Sequence, residues 1–235
     1  MHLADDPRSP VRLYIRSRRS WVALVLTAVL CACVPLVGAF MVPAPSEGVV
    51  GGVLYVPGWR LLAVGVAFGP VLFCHSPFGE MEAAAGRNWR RTERAVLLVN
   101  TVVCVTMFTV TCWIVFDAQT ALLVLRGIAG WMGITLISGR ITGWKTAWVG
   151  PLAVLPMVIY WGHGQTGYRW WEFTSLPSGD LGSWAVAGCI AAGGAVAYLF
   201  SEWGWRHLTN PVRQSSHRLP AATEAVSTWR GRRNR

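Results

Sequence analysis

Apolar and polar positions in this chain run in long blocks rather than alternating residue by residue. Six apolar blocks, residues 21–41, 57–74, 95–116, 121–137, 146–161 and 181–200, are separated by short intervals that hold most of the charge. A helix rises about 1.5 Å per residue, so roughly 20 residues cross the ~30 Å hydrocarbon layer of a bilayer. The pattern therefore predicts an all-α fold, a polytopic membrane bundle of six transmembrane helices. The second apolar run begins earlier, at Val49, but Pro57 suits a first helical turn better than an interior and sets the start of that span. Arg60 then falls in the first turn, where its side chain can snorkel to the headgroups beside Trp59. The fourth and fifth blocks are short, and the fifth carries Pro151 and Pro156, either a hinge or simply a kinked helix.

Two further helices are expected outside the spans. Near the start, Ser9 can cap and Pro10 fits the first helical position, after which Arg12, Arg16 and Arg19 share one face and Val11, Tyr14 and Ile15 another. That arrangement predicts an interfacial helix at residues 11–20, the plainer reading being a charged flank that orients the first span. Between the second and third spans, Ser76-Pro77 can start a short helix through Glu80, Met81, Glu82 and Ala85, and Gly86 can stop it. The domain organisation expected is residues 1–20 as an N-terminal cytoplasmic segment, 21–201 as the transmembrane domain and 202–235 as a basic, disordered cytoplasmic tail.

Charge fixes the sidedness. Of 21 basic residues, 18 fall before the first span, between the second and third, between the fourth and fifth, or after the sixth. The remaining three are Arg60, Arg126 and Arg169. Short loops biased in this way place both termini in the cytoplasm of a multi-pass cell-membrane protein. Val37-Gly38-Ala39 resembles a signal-peptide processing site, but the first apolar block is long for a signal core and further spans follow. Trp21, Trp59, Trp161, Trp170, Trp171 and Trp184 lie near span ends, where indole rings favour the headgroup level.

Composition agrees: 53% of the 235 residues are hydrophobic and 14% charged, where a soluble domain carries about a quarter charged. The net charge of +10 belongs to membrane flanks rather than to a basic surface patch, so nucleic acid is not an expected partner and membrane lipid is. The six cysteines lie in or at the ends of apolar runs as small buried hydrophobes. No zinc-protease helix motif, nucleophile elbow or phosphate-binding glycine loop occurs, and acids and histidines sit in loops or at span ends. The expectation is accordingly no catalytic residue, no cofactor and no metal, which argues against a membrane enzyme. One candidate intramembrane functional residue stands out: Arg126, which either snorkels, pairs structurally or faces the bundle and contacts a polar or anionic group. It opens the run Arg126-Gly127-Ile128-Ala129-Gly130-Trp131-Met132-Gly133, whose glycines permit close helix packing.

A basic interfacial helix, six spans, a short helix in the first cytoplasmic loop and an elaborated outer loop before the last span together resemble the membrane subunit of an ABC-2 type exporter. The resemblance is architectural and covers nearly the whole chain. It implies that residues 11–20 are the elbow helix and that residues 77–85 are the coupling helix seated on a separate ATPase chain. Phe78, Glu80, Met81 and Glu82 are then the candidate coupling residues, and residues 162–180, with Trp170 and Trp171, the outer segment. It also implies a homodimer, or a heterodimer with a related permease. The stretch Arg126 to Gly133, with Gly139-Arg140 and Ala147-Trp148-Val149-Gly150-Pro151, is similar to actinobacterial integral membrane proteins, and the Arg-for-Lys skew suits such a source. No Walker motif is present, so an ATPase would be a separate chain. The expected function is a permease subunit of an ABC-type exporter. The alternative is a non-transporting accessory or immunity protein that binds a partner within the membrane.

Overall fold

The computed structural model describes residues 20–49, 51–74, 87–164 and 167–200. Most of residues 11–20, the whole segment 77–85 with Phe78, Glu80, Met81 and Glu82, and the tail 202–235 lie outside the described residues. The described chain is mostly helical. It comprises α1 (Ser20–Val37), strands β1 (Met41–Pro45) and β2 (Val53–Pro57), α2 (Gly58–Cys74), α3 (Arg87–Val115) and α4 (Ala118–Thr142). A 3₁₀ turn (Trp144–Thr146), α5 (Val149–Trp161), the two-residue strands β3 (His163–Gly164) and β4 (Gly167–Tyr168), and α6 (Leu181–Leu199) follow.

Three helices are long and apolar enough to cross a bilayer, over Arg94–Val115, Ala118–Thr142 and Leu181–Leu199, consistent with a membrane protein. The count of six expected from the sequence is not met on length alone. α1 and α2 have 18 and 17 residues, and α5 has 13, or about 20 Å of helix. The fourth span differs in the opposite sense. Asp117 caps α4, accepting from the Thr120 N–H at 2.5 Å, so the helix starts before its apolar block and runs 25 residues.

The helix surfaces explain why the chain reads as a membrane protein. On α3 the buried positions are Leu97, Asn100, Cys104, Phe108 and Cys112, one stripe at spacings of three and four. The opposite stripe is exposed and carries Leu98, Val99, Val102, Val103, Met107, Val110, Trp113 and Ile114. A water-facing helix would be polar there. The apolar outer face suits lipid tails instead.

α2 and α4 share the middle of the packing. α1 lies against α2 and α3, α2 against α3 and α4, and α4 against α3 and α5. The core joins Val34, Ala63, Val64, Val66 and Ala67 to Cys104, Phe108, Cys112, Val124, Ile128 and Trp131. Ser138 Oγ accepts from the Gly150 N–H at 3.0 Å and ties α4 to α5. α6 crosses α4 at Gly133 and Gly194, where a Cβ on either would fall within 2.6 Å of the other helix's backbone. Only glycine allows that approach.

Two antiparallel hairpins, which the all-α expectation did not contain, gather at one end of the bundle. β1 pairs β2 with Met41 opposite Pro57 and Pro45 opposite Val53, and β3 pairs β4. The first hairpin docks on the end of α5 through the Glu47 N–H, which donates to the Tyr160 carbonyl at 3.1 Å. The first span therefore stops at Val37 rather than at residue 41, because the chain from Met41 onward is strand.

Candidate functional site

The site worth building is at the hairpin end, where the irregular segment between β4 and α6 folds back over the bundle. Its entry is fixed by the Arg169 N–H, which donates to the Gly162 carbonyl at 2.9 Å, and by the Glu172 N–H, which donates to the Arg169 carbonyl at 3.0 Å. Its exit is fixed by Asp180, which caps α6 by accepting from the Ser183 N–H at 2.7 Å. The Trp184 indole N–H donates to the Ser178 carbonyl at 2.8 Å and keeps that turn on the helix. Between them the chain turns inward, with Glu172, Phe173 and Thr174 buried, Ser175 and Leu176 half-buried and Pro177 back at the surface.

Two arginines receive them. Arg60, in the first turn of α2, donates to Glu172 Oε1 at 2.9 Å, and both side chains are buried. The carboxylate is supported further: Oε1 accepts from the Thr174 N–H at 3.2 Å and from the Thr174 hydroxyl, and Oε2 accepts from the Ser175 N–H at 2.6 Å. The Thr174 oxygen in turn accepts from Arg60. A buried ion pair survives desolvation better when its remaining lone pairs find partners, and both oxygens of Glu172 do.

Arg126, on the third turn of α4, is fully buried. Its Nε–H donates to the Phe173 carbonyl at 2.8 Å, Nη1 to the Pro177 carbonyl at 2.9 Å, and Nη2 to the Leu176 carbonyl. The planar fork of a guanidinium suits several convergent carbonyls at once. Its Cζ also lies 5.9 Å from the Trp184 ring centroid. Phe173 turns into the core and meets Trp131 edge-to-face, with centroids 5.4 Å apart. Its seat exists because residue 130 is glycine: a Cβ there would lie 2.3 Å from the Phe173 ring. Arg126, Gly130 and Gly133 recur at four and three residues, so one face of α4 carries the carbonyl clamp, the Phe173 seat and the α6 crossing in sequence.

The sequence placed some of this correctly and some not. Arg126 faces the bundle, one of the alternatives the residues left open, and the polar groups it contacts are the backbone carbonyls of Phe173, Leu176 and Pro177. Arg60 corrects an expectation, since it turns inward to Glu172 instead of snorkelling to the surface. The reason is that an acid 112 positions away is folded onto it. Glu172 was read only as a loop acid. Its flanks Trp171 and Phe173, in a segment otherwise nearly without charge, were the available signal that it is buried. Of the tryptophans expected at an interfacial belt, Trp21, Trp161 and Trp170 are exposed, while Trp59 and Trp171 are partly buried against the core and Trp184 is partly buried.

The arrangement does mechanical work: a six-residue stretch is fastened to α2 by one arginine and to α4 by another. Among the described residues, no group of three His, Cys, Asp or Glu is placed to hold a metal ion. Comparisons with models of known protein families, with curated proteins and with solved structures find no match for this chain.

Proposed function

We propose that this chain is the membrane-spanning permease subunit of an exporter powered by a separate ATPase chain. It crosses the cell membrane six times with both termini in the cytoplasm, the short helices α1, α2 and α5 completing the count with neighbouring residues. The observation that carries the reading is the asymmetry of the two ends. The hairpin end is closed by a segment bolted to two core helices through Arg60 and Arg126. The opposite end, where α3 begins and α4 finishes, presents Arg94, Arg140 and Lys145. A closed outer face over a bundle whose basic face meets the cytoplasm suits a subunit that is driven from inside. In this reading residues 77–85 join α2 to α3 on that face, where an ATPase would push on both.

The test is co-purification. Tagged chain from its native host should bring down an ATPase subunit, and Phe78→Asp or Met81→Asp should lose it while membrane insertion is unchanged. Wild-type yield of the ATPase with both variants would defeat the coupling assignment.

A second reading, an accessory protein that binds a partner within the membrane, is favoured by α6. Its exposed surface is lined by Ala185, Gly188, Cys189, Ala192 and Gly193, small residues that let another helix approach closely. It becomes the leading reading if the tagged chain brings down a membrane protein and no ATPase.

A further inference from the structure

The β1–β2 hairpin is apolar on both faces. In an antiparallel pair, residues directly opposite each other project to the same side. One side carries Val42, Ala44, Leu54 and Val56, of which Val56 is buried against the bundle. The other side carries Met41, Pro43, Pro45, Val53, Tyr55 and Pro57. Met41 is 55% exposed and Tyr55 64% exposed, and Phe40 just before the strand is 72% exposed. A hairpin with one face in water alternates apolar with polar. Here the only polar side-chain atom on the outward face is the Tyr55 hydroxyl.

Three further observations say what covers it. Pro43, Pro45 and Pro57 carry no N–H, which lowers the number of backbone donors left without partners away from water. The same prolines blunt the strand edges against addition of a strand from another protein. The hairpin also joins two of the three helices that are short for a bilayer. With 18 and 17 residues, α1 and α2 span about 27 and 26 Å, a few ångström under the hydrocarbon thickness. Finally, residues 42–56 contain no basic residue, and their one acid, Glu47, lies in the turn beyond the end of β1.

We infer that the β1–β2 hairpin is embedded in one leaflet of the membrane. Its face of Met41, Pro43, Pro45, Val53, Tyr55 and Pro57 lies against phospholipid at the boundary of acyl chains and headgroups, with the Tyr55 hydroxyl at headgroup level. The hairpin thereby completes the membrane-facing surface that α1 and α2 leave short. This rests on the reading of the chain as a membrane-spanning bundle.

Photo-crosslinking tests it. p-Benzoylphenylalanine replaces Tyr55, Glu47 or Val102, one at a time, in the full chain reconstituted into vesicles of phosphatidylcholine with phosphatidylglycerol. The expected result is a phospholipid mass adduct at 55 in yield close to that at Val102, which lies on the exposed apolar face of α3, and none at 47. Lipid adduct at Val102 with none at 55 overturns the proposal and leaves the membrane reading standing. Crosslinking of position 55 to a second copy of the chain also overturns it, because the face then belongs to a protein interface. Adducts at neither 55 nor Val102 overturn the membrane reading and the proposal together. Unchanged size-exclusion profiles of the three variants, and a repeat with the probe at Met41, guard against a local folding defect.

Discussion

α4 and α6 are both long and apolar enough to cross a bilayer, yet over half of α4's apolar stretch is buried and only 17% of that of α6. The difference lies in what interrupts the apolar background. α4 carries an arginine, buried Thr135 and Ser138, and glycines whose missing side chains are filled by Phe173 and by α6. α6 carries glycines too, but a Cβ added at Gly188 or Gly193 meets nothing within 4 Å. Apolarity brings a helix to the membrane, and polar groups with partners then decide which helix takes the middle. A glycine therefore means different things at different positions: a required vacancy at Gly130, Gly133 and Gly194, and an unused surface at Gly188 and Gly193.

Three perturbations probe the contrast between α4 and α6. The largest effect belongs to Arg126→Gln, which withdraws donors from the buried carbonyl of Phe173 and the partly buried carbonyls of Leu176 and Pro177 at once. A loss of about 3–5 kcal/mol in stability is expected, read by thermal unfolding in detergent, with proteolysis appearing in residues 162–180. The next contrasts one substitution at two sites. Gly130→Ala should destabilise by about 1–3 kcal/mol, because the Phe173 ring must move. Gly188→Ala should stabilise by up to about 1 kcal/mol, since alanine is the better helix former and nothing opposes it. Equal effects at the two positions would erase the distinction drawn between the helices. The smallest effect concerns the start of α4. The Thr120 N–H, donating to the exposed Asp117 carboxylate, holds its pKa below the usual value. Its contribution is thus complete above the ordinary carboxylate pKa and is lost as pH falls through the lowered one. The unfolding midpoint should drop slightly over that acidic window, and Asp117→Asn should remove that part of the drop.

How much of this could be read from the chain follows from the range of each interaction. The helices were legible because an apolar block is a local signal, and Arg126 stood out because a charge inside such a block is rare. The glycines at 130 and 133 were marked as packing sites for the same reason. The hairpin was not legible: with both faces apolar and prolines at 43, 45 and 57, it lacks the alternation that betrays a strand and merges with the spans on either side. Arg60 was misplaced because its partner is remote in sequence. Nothing within a few residues distinguishes an arginine that snorkels from one that turns inward to a distant glutamate.

The fastening of residues 172–177 to the bundle depends on the buried Arg60–Glu172 pair, and a double-mutant cycle on those two residues measures it. Arg60→Met and Glu172→Met alone each leave one buried charge without its partner and should each cost about 3–5 kcal/mol. Together they remove both charges, so the double variant should be no worse than either single one, giving a coupling of about 3 kcal/mol or more. Additive losses would mean that the two side chains do not meet in the folded protein, and the fastened end would have to be abandoned.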